Sequence, residues 1–273
     1  MTVDAVDTLL ARHEQLPARA QAAARVLQLC DDPDTSAQQL ARAIGTDPVF
    51  AAKVLRVANS SYYGLSGRVS TLPFAVSVVG FQTVRSLAVV AAAGLDDPDA
   101  TPHGFWEGAA LAATAAEVFA PLLEADTGDA FSLGLLHTLG SALLHQHRPL
   151  GLVCLPQPDD VAALADAEVA AYGTTHEVVG ARVLSLWHFP DRVCTLIARH
   201  HDALLPDAAP LERTLHAARA VADKLLRDVA PDVTDPSIAW LTDGLVTPDE
   251  LPALYERVSS RAAALLDGLQ TRR

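Results

Sequence analysis

The stretch Asp129-Ala130-Phe131-Ser132-Leu133-Gly134-Leu135-Leu136-His137-Thr138-Leu139-Gly140-Ser141-Ala142-Leu143-Leu144-His145-Gln146 decides how the rest of the chain is read. On a helix, Phe131, Leu133, Leu135, Leu136, Leu139, Leu143 and Leu144 leave almost no polar face. A helix that is apolar all round is buried in the middle of a domain. The stretch therefore predicts one central helix over 129–146, with the other elements wrapped around it. His137 would then be buried.

Outward from that helix, helical periodicity recurs and convincing strand alternation is absent. Ala23, Val26, Leu27 and Cys30 follow the i, i+3, i+4, i+7 rule before Asp31-Asp32-Pro33-Asp34 breaks the pattern. Ser36 can cap a helix that runs through Ile44, and Gly45 can end it. Asp47-Pro48 pairs a cap with a first-turn proline, and Phe50, Val54 and Val57 form the inner stripe of the helix that follows. Asn59 to Gly64 reads as an irregular loop. Two helices, Pro73 to Val79 and Phe81 to Ala93, are interrupted at Gly80. Further helices are expected at about 104–120, 160–171, 175–187, 190–201, 210–229 and 248–267, read from the same period. The acidic, proline-bearing run Asp96 to Pro102 marks a boundary between two lobes.

Composition agrees with an all-α fold. Half of the 273 residues are hydrophobic but only 5% are aromatic. A core built mainly from alanine and leucine favours closely packed helices. With 33 acidic and 20 basic residues the formal charge is −13. Such a field repels phosphate backbones over the surface as a whole. Cys30, Cys154 and Cys194 are odd in number and far apart. They read as reduced thiols of a cytoplasmic protein. The start, Met1 to Gln15, lacks the basic and apolar segments of a signal peptide. The most apolar run, Ser86 to Leu95, is too short to span a bilayer.

Several residues could carry chemistry. His137 and Thr138 stand where a metal-binding His-Asp pair would belong, but a hydroxyl is a poor ligand for a divalent cation beside a carboxylate. His200 lies on an apolar face with Val193, Leu196 and Ile197. His176 lies near a helix start, and Asp223 borders the stripe Leu215, Ala218, Ala222 and Leu226. These histidines and the aspartate could converge in a bundle interior, as metal sites in helical proteins do. The competing reading is a set of hydrogen-bonded core histidines. His200 and His201 would point roughly 100° apart on a regular helix, so they share an ion only if the helix end distorts. His176-Glu177 opens like a zinc-protease motif, but Gly180 replaces its second histidine. His145 and His147 read as surface residues. Residues 38–56 resemble a helix-turn-helix, offering only Lys53 and Arg56 as cations on the second helix. A plain helical hairpin is the alternative.

The order of these motifs resembles the HDOD family, the HD-related output domain of bacterial signalling proteins. The resemblance runs from Leu16-Pro17 through Ala58-Asn59-Ser60-Ser61-Tyr62-Tyr63-Gly64, Leu72-Pro73-Phe74 and Val79-Gly80-Phe81. It continues through Phe105-Trp106-Glu107, Gly134-Leu135-Leu136-His137 and His176-Glu177-Val178-Val179-Gly180 to Trp187-His188-Phe189-Pro190 and His200-His201. It implies kinship with HD phosphohydrolases and with HD-GYP enzymes that degrade cyclic diguanylate. It also implies that an early metal-binding histidine is replaced by Gly108, and that the His-Asp pair has become His137 and Thr138. Asp223 matches the late aspartate. His176, His200 and His201 match the additional histidines of HD-GYP enzymes.

The resemblance therefore implies an all-α, two-lobed helical bundle: an N-terminal lobe at 1–95, an HD-like lobe at 103–209, and a C-terminal extension at 210–273 packed on the HD-like lobe. The expected function is non-catalytic signal transduction in the cytoplasm, with no membrane association. Signalling proteins are the expected partners, and a nucleotide or cyclic dinucleotide is a candidate ligand. No cofactor is expected beyond a weakly held divalent metal at His137, His176, His200, His201 and Asp223. Tyr62, Tyr63 and Arg85 are placed beside a groove between the lobes, because the guanidinium fork of Arg85 suits an anion; the competing readings are a helix-surface or interlobe salt bridge for Arg85 and packing between helices for the two tyrosines. The alternatives are a degenerate metal-dependent phosphohydrolase and a DNA-binding regulator acting through 38–56, although nucleic acid is disfavoured by the charge.

Overall fold

Capping and breaking residues set the first half of the chain. The computed structural model describes residues 18–95, 101–146 and 161–269. Helix α1 spans Ala18–Cys30 and ends ahead of Asp31. In α2, Ala37–Ile44, Ser36 and Gln39 form a reciprocal capping box: the Gln39 N–H donates to Ser36 Oγ at 3.3 Å, and the Ser36 N–H donates to Gln39 Oε1 at 2.8 Å. In α3, Pro48–Ala58, the Asp47 carboxylate accepts from the N–H of Val49 at 2.8 Å and of Phe50 at 3.3 Å. The Asn59–Gly64 loop contains one 3₁₀ turn, Ser61–Tyr63. Helices α4, Leu72–Val79, and α5, Phe81–Ala92, meet at an angle of 107°. Gly80 makes the corner at φ 81°, a conformation that disfavours any residue with a Cβ. Every residue of α5 from Thr83 to Ala92 is buried.

The second half comprises α6 (Phe105–Phe119), α7 (Thr127–Leu136), α8 (Leu139–Gln146), α9 (Val161–Tyr172), α10 (His176–Leu186), α11 (Asp191–Ala198), α12 (Pro210–Leu226), α13 (Ser237–Leu241) and α14 (Leu251–Leu269). No strand occurs among the described residues, so the fold is all-α. Helix α6 is central: α7, α12 and α14 all pack along it. One hydrophobic core runs from Ala23 and Leu27 through Leu87 and Ala109 to Leu143, Val183 and Ile197. A second lies between α6, α12, α13 and α14, with Phe119, Ala218, Ile238 and Val258 at its heart. Helix α14 packs on α3 as well as on α6.

Two expectations need correction. The stretch 129–146 is not one helix: α7 and α8 are separated at His137-Thr138. A glycine on each side of the break is in close contact with a different helix. A Cβ at Gly134 would lie 2.5 Å from the Ala112 carbonyl oxygen on α6, and one at Gly140 would overlap the His176 carbonyl oxygen on α10. The helix expected over 190–201 stops at Ala198, before the paired histidines. The short α13 has no counterpart in the sequence reading.

In the helix-turn-helix-like segment, the two cations of the second helix are engaged within the fold. Lys53 is 3% exposed, with its Nζ 4.8 Å from the Trp106 ring centroid. Arg56 Nε donates to the Gly268 carbonyl at 3.0 Å. Both cations are committed within the protein rather than offered to a phosphate backbone.

No single helix among the described residues is long and apolar enough to cross a membrane. Met1 to Gln15, Leu16-Pro17, Asp96 to Ala100, His147 and Cys154 lie outside the described residues.

Candidate ligand cavity

Close approach of α8 to α10 at Gly140 fixes where His176 begins its helix. The first N–H groups of a helix have no intrahelical partner. Here the carboxylate of Glu168 supplies one. It accepts from the His176 backbone N–H at 2.8 Å and from His176 Nδ1 at 2.9 Å. Glu168 is the only buried residue of α9. Glu177 Oε2 stands 3.4 Å from the same Nδ1. Held in this way, His176 turns Nε2 inward, 3.2 Å from His201 Nε2 and 3.4 Å from His200 Nε2.

The early end of α11 makes this convergence possible. Beyond Ala198 the chain turns, and the rings of His200 and His201 lie 4.3 Å apart at 38° instead of diverging. His200 Nδ1 donates to the Ile197 carbonyl at 2.7 Å, and His137 Nδ1 donates to the Gly134 carbonyl at 2.8 Å. A carbonyl can only accept, so in a neutral ring each of these bonds fixes the proton on Nδ1 and leaves Nε2 bare. The His137 ring lies 5.7 Å from that of His200.

Arg219 on α12 completes the group. Its guanidinium donates to the His200 carbonyl and, at 2.7 Å, to His201 Nδ1. Arginine has no acceptor, so His201 Nδ1 accepts and its ring proton resides on Nε2. No ion pair among the described residues includes Arg219. Burial, reinforced by the Arg219 charge, pushes His137 and His201 down to about 3 and His216 down to about 4. The same causes, in the same order, hold His200 well below its usual value. Burial lowers Arg219 itself to about 10, against the opposing pull of Asp223 and Glu177.

These groups border a cavity of about 700 Å³. Seven of the ten histidines line it: His103, His137, His145, His176, His200, His201 and His216. His145, read as a surface residue, is half-buried and lines the cavity. Leu144, Val161, Leu164, Leu226 and Leu241 supply apolar wall. Gly108 and Thr138 also line it, at the two positions where the resemblance implies a lost ligand. Thr138 Oγ1 is buried and has no hydrogen-bond partner.

The expected site residues separate into two places. His137, His176, His200 and His201 come together. Asp223 lines the cavity, but its side chain is 62% exposed and pairs with Arg227 at 3.2 Å. Tyr62, Tyr63 and Arg85 do not line the cavity. Tyr62 donates to Glu117, which also accepts from Arg261, whose guanidinium lies 4.5 Å from the Tyr62 ring centroid. The Tyr63 ring packs edge-on to Tyr62, 4.9 Å away, and burial pushes its hydroxyl up to about 12. Arg85 pairs with Asp31 at 2.7 Å, donates to the His188 carbonyl and stacks on Phe189. Glu168 and Arg219 were missed, yet both left a trace. Glu168 is a carboxylate in an alanine-rich helix eight residues before His176, and Arg219 stands four residues after Leu215 on the inner stripe of α12.

The residues fit a catalytic metal poorly. His176, His200 and His201 bring ligand atoms within 4.8 Å of one another. His176 and His200 have the backing that a ligand needs, a carboxylate or carbonyl on Nδ1. His201 is backed by a donor instead, which turns its Nε2 into a donor and not a ligand. A guanidinium bonded to the His201 ring and to the His200 backbone carbonyl further opposes a divalent charge.

Comparison with known proteins agrees with this architecture. Residues 16–203, more than two thirds of the chain, match the HDOD domain. A curated Treponema pallidum protein, described as uncharacterized, is 25% identical over 228 residues; the match covers 78% of this chain, which spans less than half of that relative's length (42%). A proposed signal transduction protein from Marinobacter aquaeolei VT8 is 25% identical, with a TM-score of 0.66, over 95% of this chain and 60% of that one. An HDOD domain protein from Geobacter sulfurreducens has the same fold, with a TM-score of 0.66 at 21% identity, over 96% of each chain. A proposed phosphohydrolase from Shewanella amazonensis SB2B likewise shares the fold, with a TM-score of 0.68 at 22% identity, over 96% of this chain and 97% of that one. The extent of the family match and the shared helical architecture together lead to one conclusion: the chain belongs to the HDOD domain family.

Proposed function

We propose that this chain is a non-catalytic signal-transduction module that acts by binding a small ligand or a signalling protein. One observation carries the reading: Arg219 donates into His201 Nδ1, so the imidazole cluster is backed by a cation where a hydrolytic metal centre needs lone pairs and carboxylates. Thr138 and Gly108 support it, since neither side chain offers a strong ligand. A catalytic ion must be held firmly while keeping a position open for water; with His201 turned donor, the facing Nε2 ligands reduce to His176 and His200, and the carboxylates of Glu168 and Glu177 lie on the opposite, Nδ1 side of His176. The kinship with a proposed signal transduction protein points the same way. Nucleotides and cyclic dinucleotides are candidate ligands because the cavity lies within the usual size range, roughly 300–1,000 Å³, of small-molecule sites.

The facing Nε2 atoms of His176, His200 and His201 favour a second reading, a metal-dependent phosphohydrolase with an atypical ligand set. Metal analysis after chelator-free purification, with turnover of cyclic diguanylate in added manganese or iron, separates the two. The expected result is substoichiometric metal and no turnover. Stoichiometric metal with turnover that vanishes in His137→Ala would overturn the proposal.

A further inference from the structure

We propose that the cavity binds a small organic oxyanion, with the guanidinium of Arg219 as its charge partner. This rests on the non-catalytic reading above and names the ligand class of the same site.

Arg219 carries a charge that no carboxylate among the described residues pairs directly. A guanidinium drawn partly out of water, as that of Arg219 is in the cavity wall, is normally met by a carboxylate. Arg219 is met only by a backbone carbonyl and an imidazole nitrogen, and no carboxylate pairs with it among the described residues. The nearest candidate on its own helix, Asp223, pairs with Arg227 instead. Glu168 and Asp223 also line the cavity, but they are bonded to His176 and Arg227, so the guanidinium borders the cavity without a directly paired carboxylate. The planar fork of arginine suits the two oxygens of a phosphate or carboxylate.

The surroundings favour an anion over a cation. Asp at position 138 would place a negative charge in the same wall; Thr138 removes it. His137, His201 and His216 contribute ring nitrogens rather than further charges. The remaining lining explains why the ligand should be organic: Leu164, Val161 and Leu226 offer apolar contact that a bare ion cannot use. With a net charge of −13 the protein surface repels anions generally. Saturable anion binding would therefore report a local site.

The test is calorimetric titration of the full chain with phenyl phosphate, phenylacetate and inorganic phosphate. The expected result is one saturable site for at least one of the two organic probes, weakened at least about tenfold by Arg219→Gln. Arg192→Gln, a change on the exposed face of α11, should leave binding unchanged. If Arg219→Gln fails to fold, Arg219→Lys takes its place; it keeps the charge but loses the fork, and a several-fold loss is expected. Tighter binding of phenyl phosphate assigns a phosphate ligand, and tighter binding of phenylacetate a carboxylate. No saturable binding by the wild type, equal affinity in the Arg219 variant, or inorganic phosphate binding as tightly as both organic probes would each overturn the proposal. Phenol release from phenyl phosphate in the same samples is scored separately. Release would overturn the non-catalytic reading and leave the oxyanion site standing, whereas absence of binding without release would do the reverse.

Discussion

Glu168 accepts two hydrogen bonds from a single residue, one from the backbone N–H of His176 and one from its Nδ1, across the junction of α9 and α10. The pair is almost fully buried on both sides, at 3% side-chain exposure each. Glu168 is also the only fully buried residue of α9, a helix that forms one wall of the cavity and packs Tyr172 against the core.

Removing one member of such a pair leaves the other buried and unpaired. Glu168→Ala should therefore cost about 3–5 kcal/mol in chemical denaturation. Hydrogen exchange in α9 should quicken first. An unchanged denaturation midpoint with unaltered exchange would show that α9 is held by something else.

Gly140→Ala tests the helix crossing that positions His176. The added methyl would meet backbone on α10, which cannot rotate away as a side chain can. A loss of about 3 kcal/mol or more is expected, at the upper end of overpacking effects. Gly134→Ala, whose Cβ would meet backbone on α6, should behave alike. Thermal melts of the two variants beside the wild type provide the check, and near-native melting of either would contradict the tight crossing.

The buried histidines make stability depend on pH in a defined direction. The folded values of His137, His201 and His216 lie below the ordinary value of 6.5, at about 3, 3 and 4. Below 6.5 the unfolded chain takes up protons that the folded chain refuses, so stability is full above that pH and falls towards 3. Urea denaturation at about pH 7.5 and about pH 5 should show the loss. His137→Gln should flatten the slope by close to one proton; an unchanged slope would mean that His137 is not buried as described.

Arg85 holds structure together instead of holding ligand. Arg85→Ala removes its bonds to Asp31 and the His188 carbonyl and should cost about 2–3 kcal/mol. Affinity for the organic anions should stay within experimental error when measured well below the melting temperature. A stable variant with lost affinity would return Arg85 to the ligand site.

Duplex DNA should not bind even at low ionic strength, where nonspecific attraction is greatest. Lys53 is buried and Arg56 is bonded to the last helix, so the second helix of the hairpin has neither cation to give. Retention of a labelled duplex in a gel shift at low salt would contradict this.

The sequence by itself determined the helical class, most helix limits and the family. Those properties depend on local signals: the capping box at Ser36 and Gln39, the Asp47-Pro48 start, the corner at Gly80, and the period of the apolar residues. It also marked His137, His176, His200 and His201 as a group worth joining. Only the tertiary structure decided what that group faces. Glu168 and Arg219 act across helix boundaries, and nothing in their own segments states which partner they will meet. The break at His137-Thr138 and the early end of α11 likewise lie beside contacts with α6, α10 and α12. Helical periodicity describes which face of an element turns inward. It does not encode which charge from another element will be waiting there, because that depends on how helices distant in sequence cross in space.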